Sequence, residues 1–157
     1  MKKVRIGKEQ AIQRIRHYCA YQERAQQEVR DKLYELGMTM DEVEAIMSDL
    51  ISENFLNEER FATQFAGGHF RIKGWGKVKI QQALQQKRVS TYNIKIGLKS
   101  IDEDAYLQTL QSLAVKKWNS LKGERGLSRM AKTQSFLHQR GFEPFLYQPI
   151  VQNLYKK

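Results

Sequence analysis

A chain of 157 residues with 27 Lys or Arg against 17 Asp or Glu carries a net charge of +10 and a single cysteine. That length suits one domain or a short array of small units, and the excess positive charge points to an anionic partner, nucleic acid being the usual one. Lone Cys19 excludes an intramolecular disulfide, no apolar run reaches the ~20 residues that cross a bilayer, and Met1, Lys2 and Lys3 lead into no hydrophobic segment, so a cytoplasmic protein without signal peptide is expected.

Few β-branched runs and only two prolines, at 144 and 149, predict an all-α fold. The spacing predicts a first helix over 8–22, with Ala11, Ile12, Ile15, Tyr18 and Cys19 on one face. After a short turn at Glu23 and Arg24, a helix over 25–36 buries Val29, Leu33 and Leu36. Gly37 is placed to end it in the left-handed conformation. Thr39 with Glu42 three residues on is a capping box. It opens a helix with Val43, Ile46, Met47 and Leu50 inward and its acids outward. Asp41, Glu44 and Asp49 are the candidate face for a protein partner carrying basic patches.

The next stretch organises the chain. Asn57 caps a helix whose first turn holds Glu58 and Glu59 at the positive end of the dipole. Phe61, Ala62, Phe65 and His69 form its expected apolar stripe. From 60 to 101 there is no acidic residue, yet there are nine Lys or Arg. By contrast, residues 1–54 hold nine cations and ten acids, and residues 101–157 hold nine and five. Gly74 and Gly76 bracket Trp75, with cations on both sides. Arg71, Lys73, Trp75, Lys77, Lys79, Lys87 and Arg88 are therefore the candidate contacts to nucleic acid, the indole supplying a stacking face and the cations neutralising phosphates. A helix over 77–87 uses Val78, Ile80, Ala83 and Leu84, and Ser90 or Thr91 caps the one after it.

Asp102 caps the following helix, whose apolar positions are Tyr106, Leu107, Leu110, Leu113, Ala114 and Trp118. A break at 122–126 offers a mobile connector. A basic amphipathic helix then carries Arg129, Met130, Lys132, Phe136 and Leu137, and Arg125, Arg129 and Lys132 form a secondary basic surface. Pro144 opens the last helix.

The pattern repeats. Leu33, Leu84 and Leu137 align at offsets of 51 and 53. Each is followed by an equivalent stop (Gly37, Arg88, Gly141) and then by Val43, Ile94 and Tyr147. The third aligned set is Leu50, Ile101 and Leu154. The chain reads as three tandem three-helix repeats over 1–54, 55–100 and 101–157, the middle one strongly basic, with stacked neighbours supplying a shared core.

Chemistry is missing from this pattern. The glycine pairs at 67–68 and 74–76 lack the following Lys-Ser or Lys-Thr of a phosphate-binding loop. His17, His69 and His138 fall on different helices without ligand spacing, and one cysteine makes no zinc site. No catalytic residue, metal, cofactor or small-molecule substrate is expected.

Residues 18–36, the run Leu56-Asn57-Glu58-Glu59-Arg60-Phe61-Ala62, the segment Arg71-x-Lys73-x-x-Gly76, and Phe136-Leu137-His138-Gln139-Arg140-Gly141-Phe142 together resemble the RecX regulatory proteins. The likeness runs in order from about 11 to 154. It implies an elongated, curved array of three-helix units. It also implies a non-enzymatic protein of DNA repair, recombination and the SOS response that binds the RecA recombinase, especially its filament on single-stranded DNA, and inhibits filament growth, ATP hydrolysis, strand exchange and coprotease activity. Three departures stand out: Ala25 where the family commonly has Ser, Asn57-Glu58 where it commonly has Asp-Asp, and Lys87-Arg88 where it often has Lys-Gly. These concern caps worth about 1 kcal/mol each. The rival reading is a helical DNA-binding protein that needs no recombinase. Residues 25–50 pass loosely for a helix-turn-helix, but the second of those helices is acidic and would be repelled by the major groove.

Overall fold

The structure, a computed structural model, describes residues 5–157. The reading of Met1 to Lys3 lies outside them. Among the described residues there are nine helices and no strand: α1 (Lys8–Tyr21), α2 (Gln26–Glu35), α3 (Met40–Ser52), α4 (Glu58–Lys73), α5 (Lys77–Gln86), α6 (Thr91–Lys99), α7 (Glu103–Ser120), α8 (Gly126–Gln139) and α9 (Pro144–Lys156). They fall into two compact units. One holds 5–64 together with 84–96, and the other holds 65–83 and 97–157. α4, α5 and α6 each begin in one unit and end in the other.

In the first unit, Ala11, Ile15 and Cys19 of α1, Val29 and Leu33 of α2, and Val43, Ile46, Met47 and Leu50 of α3 close one core. The caps follow the sequence. The Thr39 hydroxyl accepts the Glu42 N–H, and the Glu42 carboxylate accepts the Thr39 N–H at 2.9 Å. A hydrogen bond from the Arg5 guanidinium, then the Thr39 N–H, holds the Glu42 carboxyl down at about 2. Ala25 offers no side-chain acceptor, so only the Glu28 carboxylate half of that box exists, taking the Ala25 N–H at 3.1 Å. Asn57 Oδ1 accepts the Arg60 N–H at 2.9 Å, opening α4. Ser90 Oγ accepts the Asn93 N–H, and Glu58 adds a second cap by accepting from Ser90 N and Asn93 Nδ2. Burial works against the charged form of Glu58, but these hydrogen bonds outweigh it and its pKa lies below the usual carboxylate value.

The three aligned stops share one geometry. Gly37, Arg88 and Gly141 have φ of 89°, 61° and 96°. After each, the next N–H reaches back five residues across the αL turn: Met38 to Leu33, Val89 to Leu84 and Phe142 to Leu137, all at 3.1 Å. That is the Schellman arrangement, and it buries Met38, Val89 and Phe142 as well as the aligned leucines, each of the latter 0 % exposed. Val43, Ile94 and Tyr147 are also buried. Leu154 is only partly so. The middle stop is the strained one, because Arg88 carries a Cβ into the left-handed region. Arg88→Gly is expected to stabilise the protein by about 1 kcal/mol, read as a rise in the urea midpoint. A fall instead would mean that the Arg88 side chain makes a contact outweighing its backbone strain.

The apolar stripe of α4 differs from the expected one. Ala66 and Phe70 join Phe61 and Ala62 in burial, whereas Phe65 and His69 are half-exposed. The stripe advances by fours from 62 to 66 to 70, and the i, i+4 pair of 65 and 69 lies beside it. Likewise Val78 and Leu107, expected inward, are each 37 % exposed. Their helices are buried through Ile80 and Leu84 and through Tyr106, Leu110, Ala114 and Trp118.

Candidate nucleic-acid interface

The site is built on the turn from α4 to α5, inside the second unit. Gly74 (φ 67°) ends α4, its N–H bonding the Phe70 carbonyl at 3.0 Å. The turn is clamped to the one between α8 and α9. Gly76 N–H donates to Arg140 O at 2.7 Å, Val78 N–H to Gly141 O at 2.9 Å, and Arg140 Nη1 to Lys73 O at 2.7 Å. A second clamp holds the start of α5: the buried Tyr106 hydroxyl accepts the Lys77 N–H at 2.9 Å and donates to the Glu143 carboxylate. Burial first, and the Glu143 carboxylate next, push the Tyr106 phenol far above its ordinary value, so it remains a donor. Behind both clamps, Phe70, Tyr106 and Phe142 pack with ring centroids 5.6 and 5.4 Å apart.

This scaffold presents Trp75 half-exposed. Phe65 stacks on His69 at 3.8 Å between ring centroids, and His69 lies 4.6 Å from Trp75. The His69 ring is oriented by its Nδ1–H, which donates to the Phe65 carbonyl at 2.8 Å. Two ammonium groups flank the indole, Lys79 Nζ 4.6 Å and Lys73 Nζ 5.4 Å from its centroid. Among the described residues neither lysine has a carboxylate partner. Arg71 is exposed, with its guanidinium folded over Gly67, where a Cβ would come within 2.6 Å of Nη1. An anion approaching the indole meets two unpaired ammonium groups and an aromatic face.

The remaining candidates are spent differently. Lys77 is engaged, paired with Glu103 at 3.3 Å and lying 4.8 Å over the Tyr106 ring. Lys87 and Arg88 belong to the first unit, where Lys87 pairs with Glu28 at 3.6 Å and Arg88 is exposed. In the secondary surface, Arg129 stacks 4.1 Å over Trp118 and donates to its carbonyl, and Lys132 pairs with Glu124 at 2.6 Å. The same Glu124 ties down the 122–126 connector and accepts from Ser128. Arg125 is exposed. On α3, Asp41, Glu44 and Asp49 all face solvent, Glu44 within 3.1 Å of Arg30 Nε.

The sequence reading missed Lys116, Lys117 and Arg140, which gather around Phe136 beside the same turn. Lys117 Nζ and Arg140 Cζ each lie 5.1 Å from the Phe136 ring centroid. The only signal was the Lys116-Lys117 pair, on a helix read for its apolar face. Elsewhere, burial pushes the Cys19 thiol up to about 11, which keeps it protonated and unreactive. Among the described residues no group of three His, Cys, Asp or Glu side chains is placed to hold a metal ion, and no helix is long and apolar enough to cross a membrane.

Three family descriptions match the chain in order: "RecX, first three-helix domain" over residues 11–50, "RecX, second three-helix domain" over 57–98 and "RecX, third three-helix domain" over 103–146. The regulatory protein RecX of Prosthecochloris aestuarii is 32 % identical over 133 residues, covering 85 % of each chain. The chain belongs to the RecX family. The regulatory protein RecX of Clostridium perfringens is 31 % identical over 133 residues, which are 83 % of this chain and 62 % of that one. The crystal structure of RecX from Lactobacillus salivarius shares the fold with a TM-score of 0.86 at 22 % identity, covering 94 % of this chain and 96 % of that one. Within the RecX frame, the Trp75 cluster lies on the second three-helix domain and its clamp comes from the third.

Proposed function

We propose that this RecX-family chain is a non-enzymatic regulator that binds the RecA recombinase filament on single-stranded DNA and inhibits its ATPase, recombinase and coprotease activities in the cytoplasm. The observation that supports it most directly is the half-exposed Trp75 flanked by Lys73 and Lys79. A stacking face and unneutralised cations at one point suit a strand whose bases are splayed and whose phosphates are reachable. The exposed Asp41 and Asp49 of α3 suit a basic protein surface, a contact separate from the one made with the strand. The reaction itself belongs to the recombinase, and the regulator changes how long or how far the filament extends.

The test is an ATPase assay of RecA on single-stranded DNA with this protein titrated in. Substoichiometric inhibition is expected, because one regulator bound to a filament affects many subunits. Unchanged ATP hydrolysis combined with tight binding to duplex DNA alone would point to a DNA-binding protein with no recombinase partner.

A further inference from the structure

Beside the Trp75 turn, α7 and α8 enclose a recess of about 190 Å³ lined by Leu113, Lys116, Lys117, Ser120, Phe136 and Arg140. Its floor is apolar, made by Leu113 and the Phe136 ring. Its rim carries three cations, and among the described residues none of them has a carboxylate partner. Lys117 and Arg140 rest on the ring face of Phe136, an interaction worth about 0.5–1 kcal/mol at exposed sites, which leaves their charge unneutralised. Arg140 is fixed from behind by its bond to the Lys73 carbonyl at 2.7 Å. Leu113 closes the gap, its Cδ1 within 3.7 Å of where a Cβ on Gly74 would stand. The recess therefore adjoins the turn that presents Trp75.

We infer that this recess is a subsite for one nucleotide of single-stranded nucleic acid, its phosphate held by Lys116, Lys117 and Arg140 and its sugar or base edge lying on Leu113 and Phe136. The inference deepens the proposed contact with single-stranded DNA and rests on it. A planar guanidinium with two neighbouring ammonium groups matches a phosphodiester oxygen pair. An acidic peptide would satisfy the cations equally well. It would leave the aromatic floor unused, whereas a nucleotide fills both halves. A strand passing from the Trp75 indole to this recess needs no further binding element, since the two are joined through Lys73, Gly74 and Arg140.

The experiment measures anisotropy of a short fluorescein-labelled oligothymidylate against salt, using the full chain without recombinase. Lys116→Gln with Lys117→Gln should reduce the log–log salt slope by about 0.7, the value for one phosphate no longer neutralised, and leave the melting temperature unchanged. Phe136→Leu should weaken binding several-fold with the slope unaltered, which a purely electrostatic rim would not do. Three results overturn the subsite while leaving the wider contact standing. These are an unchanged slope in the lysine variant, an equal loss in a Lys156→Gln, Lys157→Gln variant, or competition by polyglutamate as effective as by unlabelled oligothymidylate at equal ionic strength. Failure of the wild-type protein to bind the oligothymidylate overturns the direct contact on which the subsite rests.

Discussion

Gly76→Ala is expected to destabilise the protein by about 3 kcal/mol or more, since the new methyl overpacks against atoms that cannot rotate away. A Cβ at 76 would stand 2.3 Å from the Gly141 carbonyl carbon and 2.4 Å from both its oxygen and the Phe142 nitrogen. Relieving that clash separates the two turns and breaks the bonds from Gly76 N to Arg140 O and from Val78 N to Gly141 O, each worth about 1 kcal/mol. The approach is mutual, for a Cβ on Gly141 would lie 2.3 Å from that of Lys79. Gly68→Ala is the control. It sits within α4, its Cβ meets nothing within 4 Å, and alanine there should gain up to about 1 kcal/mol of helix propensity. Urea midpoints of the two variants decide the matter. If Gly76→Ala unfolds within about 0.5 kcal/mol of the wild type, the turn is not docked, and the two glycines serve a ligand instead of the backbone.

That result bears on what a sequence can reveal here. Helix ends were legible because their signals are local: the Thr39–Glu42 box, the Asn57 and Asp102 caps, and the αL stop at Gly37. The left-handed conformation of Arg88 and Gly141 was not read from the sequence, although both align with Gly37 in the repeat. The aligned leucines were legible for the same reason, since 3.6-residue periodicity reports a buried face directly. Two things were not. The first is close backbone approach, because Gly76 against Gly141 joins segments far apart in the chain, and no local pattern separates a packing glycine from a flexible one. The second is the fate of long charged side chains. Lys73, Lys77, Lys79, Arg129 and Lys132 look alike in sequence, yet Lys77 and Lys132 are neutralised by Glu103 and Glu124 and Arg129 is spent on Trp118. Lys116, Lys117 and Arg140 went unnoticed because an isolated Arg at the end of one helix joins a Lys pair on another only through tertiary packing. The charge count of the central stretch does not tell which of its cations are paired and which are not.

The sharpest consequence concerns which cations to reverse. Lys73→Glu with Lys79→Glu is expected to weaken binding to oligothymidylate or to the recombinase–DNA filament at least about tenfold at low salt. Counting Lys73, Lys79 and the recess phosphate as about three contacts, the wild-type log–log slope near −2 should flatten to about −0.7 once the first two are lost. Both lysines lie over Trp75 and neither has a carboxylate partner among the described residues, so folding loses only the two cation–π contacts, about 0.5–1 kcal/mol each. Lys77→Glu is a different experiment. It would set a second carboxylate beside Glu103 and remove the ammonium over the Tyr106 ring, so its expected effect is a lower melting temperature whatever it does to binding. In a Trp118→Phe background the remaining indole reports directly: its emission should change on adding oligothymidylate to the wild-type lysines and stay flat in the Lys73→Glu, Lys79→Glu protein. Reversing Lys156 and Lys157 makes the same change in net charge at the end of the chain. Should that reversal cost as much affinity as the central one, the charge acts as a diffuse field, and the flanked indole is not where the strand binds.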